Sequence, residues 1–131
     1  MMVLCLKMCI RDSCSIVLRF EYGDTSFVFT GDAEAKSEKL LLNAFEPNDF
    51  SCDVYQAGHH GSNTSSCNAF LDAMNPLFAV ISCGKDNDYG HPHSEVLRRF
   101  SDRNIICYRT DEMGHIILRS DGNTVSLYSN G

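Results

Sequence analysis

The chain has 131 residues, 44% of them hydrophobic and 21% charged, and a formal net charge of −6. That length suits one small domain around a single core, and the composition excludes a disordered chain. The negative balance excludes a protein that grips nucleic acid through a general basic surface, so a phosphate-bearing substrate needs a metal ion to draw it in. Seven cysteines make an odd count with no CxxC pair, and they are expected to be reduced thiols packed as small apolar residues. No apolar run reaches the roughly 18 to 20 residues that a membrane-spanning helix needs.

Residues 1–13 (MMVLCLKMCIRDS) carry a short apolar stretch beside Lys7, without a signal-peptide cleavage site and without strand alternation. The hexapeptide MCIRDS at 8–13 resembles a translated transposon end of the kind used to prepare sequencing libraries. The expectation is that 1–13 is artefactual or non-native and that 14–131 is the domain proper. The alternative is a genuine short N-terminal strand.

From Ser15 the pattern becomes regular. SIVLRFEY and TSFVFTG flank Gly23-Asp24, which predicts a hairpin. AEAKSEKLLLNAF, 33–45, is built of helix formers that stop before Pro47. DVYQA, 53–57, is a short strand leading into GHHGS. Ser65 or Ser66 is placed to cap a helix that runs to Met74, with Phe70, Leu71 and Met74 inward. LFAVIS, 77–82, reads as a strand covered on both faces. The loop CGKDNDYGHPH then precedes a helix over 94–103, capped by Ser94, with Val96, Leu97 and Phe100 inward. A short strand at 105–108 and a second hairpin around Asp121-Gly122-Asn123 close the chain. The order β-β-α-β-α-β-α-β-β-β is an α/β pattern.

Polar residues collect in three loops at strand ends: Thr30-Gly31-Asp32, then Gly58-His59-His60-Gly61-Ser62, then Tyr89-Gly90-His91-Pro92-His93. Ligands gather beyond the carboxyl ends of strands in layered α/β proteins, so loops distant in sequence can converge on one point. One carboxylate and several imidazoles are donors suited to Zn²⁺ or Mn²⁺. Each piece also has a plainer role. Asp32 suits a helix cap, His91 and His93 suit a Pro-rigidified turn, and His115 suits a structural position in a strand. Adjacent histidines between glycines favour a site, because glycine lets backbone approach closely.

Taken together, TGD, GHHGS and NxYGHPH at these spacings closely resemble the C-terminal part of the metallo-β-lactamase-like domain of ComEC-type DNA-internalisation competence proteins. The resemblance runs from Cys14 onward. It implies an α/β fold that is the C-terminal half of an αββα sandwich, with a hydrolase site at its edge holding two divalent ions, Zn²⁺ or Mn²⁺, in the complete domain. By that analogy Asp32 bridges the metals. His59 is the first candidate ligand in GHHGS with His60 as the alternate, the choice between His59 and His91 for the last ligand position is left open, and His59 and His91 are also candidate catalytic groups. Ser62, Asn87, Tyr89 and His93 are candidate substrate contacts. The HxHxDH or HxDxDH cluster of such domains is absent from this sequence. One Asp and one or two His seldom suffice, since such sites use three protein ligands and an open position, so the chain alone is expected to be inactive.

The resemblance further implies DNA as substrate, the membrane-channel portion of a parent protein as partner, and a location at the bacterial cell envelope. Two other readings stay open, a non-catalytic module guiding DNA through a membrane channel and a stand-alone hydrolase of small esters. Half a sandwich would leave one sheet face bare, so self-association of the chain is expected.

Overall fold

The computed structural model describes residues 2–10 and 13–128, with side chains described from Ser15 to Tyr128. Six strands form one sheet in the order β1-β2-β3-β4-β5-β6. They are Met2–Ile10, Ser13–Tyr22, Thr25–Phe29, Val54–Gln56, Phe78–Ile81 and Ile106–Arg109. The pairs β1·β2 and β2·β3 are antiparallel, whereas β3·β4, β4·β5 and β5·β6 are parallel. Helices α1 (Ala35–Ala44), α2 (Asn68–Met74) and α3 (Ser94–Ser101) make the three parallel crossovers. A four-residue α4 (Thr110–Met113) leads to the separate hairpin β7 (Ile117–Ser120) and β8 (Val125–Tyr128).

Strand registry explains the single core. Val28, Tyr55, Ala79 and Cys107 stand in one cross-strand row, and side chains of one row share a sheet face. Val17, Val28, Tyr55, Ala79 and Ile81 pack there with Leu41 of α1, Phe70, Leu71 and Met74 of α2, and Val96 and Phe100 of α3. Aromatic contacts knit this layer, among them Tyr55 edge-on to Phe70 and to Phe100, each at 6.4 Å. The opposite face carries Phe20 edge-on to Phe29 at 5.6 Å and Phe78 stacked on Tyr108 at 5.8 Å. Ile116 and Leu118 lie across it, lining a cavity of about 250 Å³ with Phe27, Phe29 and Val80. The two hairpins are tied by the Asp24 N–H donating to the Gly122 carbonyl at 2.6 Å and by a 2.7 Å bond between the Thr25 and Ser120 hydroxyls.

Several expectations are corrected. Strand β1 covers residues 2–10, the alternative reading of that segment, its backbone pairing along the outer edge of β2. Ser65 and Ser66 do not cap α2. Cys67 stands at that position, and the buried Glu38 carboxylate accepts the backbone N–H groups of Ser66 and Cys67 instead. Ser94 does not cap α3 but is its first residue, with His93 at the cap and no side-chain cap bond. Nor does Asp32 cap α1, whose cap position is Glu34. His115 lies exposed ahead of β7 rather than inside a strand.

Of the described cysteines, Cys52, Cys67, Cys83 and Cys107 are free, but only Cys52 is buried. The expectation for Cys5, Cys9 and Cys14 falls outside the described side chains. Burial, seconded by Asp53, pushes the Cys52 thiol up to about 12. The thiolate is the reactive form, so alkylation of Cys52 by iodoacetamide at pH 8 is expected to run roughly a thousandfold slower in the folded chain than in the unfolded one. Peptide mass spectrometry would read this, and equal rates would contradict it.

Candidate active site

The three polar loops meet at the carboxyl ends of β3, β4 and β5, and backbone hydrogen bonds join them. The His59 N–H donates to the Gly31 carbonyl at 2.9 Å, and the His93 N–H donates to the Gly61 carbonyl at 3.0 Å. The two glycines of GHHGS explain why such close approach is possible. A Cβ on Gly58 would stand 3.0 Å from Thr30 Oγ1 and 3.1 Å from the Ala33 carbonyl. On Gly61, at φ +80°, it would stand 2.8 Å from the Pro92 Cβ. Gly58 therefore joins the second loop to the first, and Gly61 joins it to the third.

Between those glycines His59 (φ 49°) and His60 (φ 56°) are both left-handed. For a residue with a Cβ that region costs about 1 to 2 kcal/mol, and such strain persists only where surrounding structure enforces it, typically at functional sites. The enforcement is visible beneath the turn. The Gly58 N–H donates to the hydroxyl of fully buried Tyr55 at 3.0 Å, and that hydroxyl is 2.9 Å from Ser66 Oγ. Glu38, also fully buried, accepts from the Ser66 N–H at 2.6 Å and the Cys67 N–H at 2.8 Å. The Ser65 hydroxyl donates to the Ala33 carbonyl at 2.7 Å, and Arg99 Nη1 donates to the Ser65 carbonyl at 2.9 Å. Burial raises the Glu38 carboxyl, with the Cys67 and Ser66 donors and Arg99 pulling the other way.

This network carries the imidazoles. His60 Nδ1 lies 2.8 Å from the Ser82 carbonyl. A carbonyl only accepts, so Nδ1 donates, which in the neutral ring leaves Nε2 as the nitrogen with the lone pair. That Nε2 stands 3.7 Å from Asp32 Oδ1, both side chains being more than half exposed at 58% and 64%. A histidine donating its far N–H to a backbone carbonyl while turning the other nitrogen outward is the usual outer support of a metal ligand. His59 turns toward Glu34, its Nδ1 3.5 Å from Oε1. Its ring centroid is 5.8 Å from that of His91, which is 4.9 Å from that of His93. Burial, then the neighbouring His93, His59 and His60, holds His91 below the ordinary imidazole range, which favours the neutral ring at pH 7.

Asp32, His59, His60 and His91 thus come together, and His60 rather than His59 faces Asp32. The other sequence candidates serve the loops. Ser62 is buried, its hydroxyl 3.0 Å from that of Thr64. Asn87 binds loop backbone at both amide ends: Oδ1 accepts from the His91 and Tyr89 N–H groups, and Nδ2 donates to the His91 and Gly84 carbonyls. His93 Nδ1 accepts the Asn63 N–H at 2.9 Å. Tyr89 is exposed on the rim. Its ring, with His60, His91, Ser82 and Gly84, lines an open cleft of about 470 Å³. Sequence reading missed Glu38, Tyr55 and Arg99. Glu38 sat within a run of helix formers and Tyr55 within a core strand, and neither pattern signals a polar partner.

The donor types suit a divalent cation, but their number does not. Among the described residues no group of three or more His, Cys, Asp or Glu is disposed to hold a metal ion, whereas a catalytic site ordinarily takes three protein ligands. The chain's own described residues therefore do not fit a complete metal centre. No helix among the described residues is long and apolar enough to cross a membrane.

The layered sheet and the converging loops define an α/β protein with a histidine-lined cleft at its strand ends. No family model matches the chain. It is 40% identical over 119 residues to ComE operon protein 3 of Bacillus subtilis (strain 168), covering 91% of the chain and 15% of that protein. It is 42% identical over 100 residues to Competence protein ComA of Neisseria gonorrhoeae, covering 76% of the chain and 14% of that protein. It is 39% identical over 88 residues to Recombination protein 2 of Haemophilus influenzae, covering 67% and 11%. The chain is thus homologous to bacterial competence proteins, as its motifs led us to expect, and spans at most 15% of the length of these relatives.

Proposed function

We propose that the chain supplies part of the active site of a DNA phosphodiesterase acting in competence-related DNA uptake, within a metallo-β-lactamase-type αββα sandwich. The observation that carries this reading is the pair of left-handed histidines held by a buried polar network against Asp32 on one side and His91 on the other. Strain of that kind in a surface turn serves a ligand better than it serves stability.

In this reading Asp32 and His60 are the donors that this chain offers to Zn²⁺ or Mn²⁺, and further donors come from residues outside these 131. His91 lies beside the substrate and moves a proton there, the role that a neutral imidazole near pH 7 fills best. His59 orients through Glu34 and Thr64. The relatives named for competence support the DNA-uptake setting; the envelope location and a channel-forming partner are part of the proposal. The protein encoded by the full reading frame, supplied with Mn²⁺ or Zn²⁺, is expected to cleave single- or double-stranded DNA. Absence of cleavage of either would overturn the enzymatic reading and leave a module that binds DNA without cutting it.

The 131-residue chain by itself is expected to cleave no faster than a buffer control. It is also expected to self-associate through the large apolar side chains that stand exposed on its surface, among them Ile16, Leu77 and Ile106, since exposed apolar surface seeks cover. Light scattering would read this at micromolar concentration, and a clean monomer would contradict it.

A further inference from the structure

Tyr89 is 78% exposed, so its ring contributes little to burial in the fold, yet it is not left free. Asn87 Oδ1 accepts the Tyr89 N–H at 3.2 Å and the His91 N–H at 2.9 Å, while Asn87 Nδ2 reaches the Gly84 carbonyl at 2.9 Å and the His91 carbonyl at 2.6 Å. The loop backbone on both sides of the ring is fixed. The ring itself lies on His91, with centroids 5.7 Å apart and planes 28° from parallel, an offset stack. The result is a two-ring shelf at the mouth of the cleft of about 470 Å³.

Charge decides what the shelf takes. The loop carries Lys85 against Asp86 and Asp88, and the whole chain is at −6, so this rim has no surplus of cations to hold a phosphate backbone. Affinity for a nucleotide has to come from a π face, and base stacking on an aromatic ring tolerates any sequence. Bases in a duplex keep their faces covered by neighbours, whereas an unpaired base offers its own.

We infer that Tyr89 is a stacking platform for an unpaired base, making a single DNA strand the substrate class that this cleft accepts and placing the adjoining phosphate toward His91 and His60. The inference rests on the DNA-directed reading of the site. It assigns the ring, rather than the phenol hydroxyl, as the part of Tyr89 that meets substrate.

The test uses the 131-residue chain at about 150 mM salt, where repulsion between the chain and the phosphates is largely screened. The probes are a fluorescent eight-nucleotide oligothymidylate, the matching oligomer of abasic sugar-phosphates and a blunt GC-rich duplex of about 16 base pairs that stays paired under these conditions, read by anisotropy. Tyr89→Ala is expected to weaken binding of the single strand about tenfold, the scale of one lost stack, and Tyr89→Phe to change it less than twofold. The abasic oligomer should bind wild type about as weakly as it binds Tyr89→Ala. Duplex should bind wild type at least about tenfold more weakly than single strand. Tyr89→Ala binding as tightly as wild type, Tyr89→Phe falling as far as Tyr89→Ala, or duplex binding as tightly as single strand would each overturn the inference while leaving DNA recognition standing. No binding of any probe by wild type would overturn the platform, whereas the DNA-directed reading is judged separately, by cleavage with the metal-loaded protein of the full reading frame.

Discussion

Replacing Glu38 with alanine is expected to cost about 2 to 5 kcal/mol of folding stability, because it strands one buried and one part-buried backbone N–H group at about 1 to 3 kcal/mol each, the second toward the lower end. A small domain holds only about 5 to 15 kcal/mol in all, so the variant would lose a large share of its stability. The carboxylate bonds the Ser66 and Cys67 N–H groups ahead of α2, and through Ser66 it reaches Tyr55 and Gly58. Glu38→Gln keeps an acceptor and should cost less, with a pH signature. Burial raises the folded-state pKa above its ordinary value near 4.5, so wild-type Glu38 contributes most below 4.5 and loses that contribution as pH rises through the folded value. The deficit of Glu38→Gln against wild type should therefore be largest below pH 4.5 and shrink toward neutrality. Urea denaturation of the three proteins from pH 4 to 8 would measure this. A deficit that grows with pH would contradict the assignment.

The second large effect is expected at Gly61. An alanine there needs φ +80° and a Cβ placed 2.8 Å from the Pro92 Cβ and 3.2 Å from the Ile81 Cγ2. Left-handed backbone costs about 1 to 2 kcal/mol and forced overpacking about 1 to 3 kcal/mol, so Gly61→Ala is expected to lose roughly 2 to 5 kcal/mol. The loss has a direction. Relief comes by moving the His59-His60 turn away from the His91 loop, which breaks the 3.0 Å bond from the His93 N–H to the Gly61 carbonyl. Hydrogen exchange at His93 should rise more than exchange in β4 and β5. Uniform acceleration across the sheet would show that the glycine serves the fold alone.

These effects show which parts of the molecule the sequence spells out. The turn at Gly23-Asp24, the inward faces of α2 and α3, and the hairpin around Asp121-Gly122 follow from local pattern, and the structure has them there. The ends of α2 and α3 were misplaced because Ser65, Ser66 and Ser94 are good capping residues locally, while the donors ahead of α2 are taken by Glu38 from 28 residues away. Local preference yields to a tertiary partner that no window of sequence contains. The candidate site was readable as three loops, since glycine-flanked histidines and a strand-end aspartate are visible as letters. Which nitrogen faces Asp32 was not, because that depends on the Ser82 carbonyl taking His60 Nδ1–H. Nor could spacing alone show that Ser62 and Asn87 direct their hydrogen bonds inward.

The central claim is that the loops bearing Asp32, His60 and His91 form one substrate position. An amide NMR titration of the 131-residue chain with the dinucleotide pTpT tests it most directly. The account predicts that the amides of Gly31 and Asp32, of residues 58–62 and of residues 87–93 shift together along one binding isotherm. Shifts confined to one loop, or loops following separate isotherms, would contradict it.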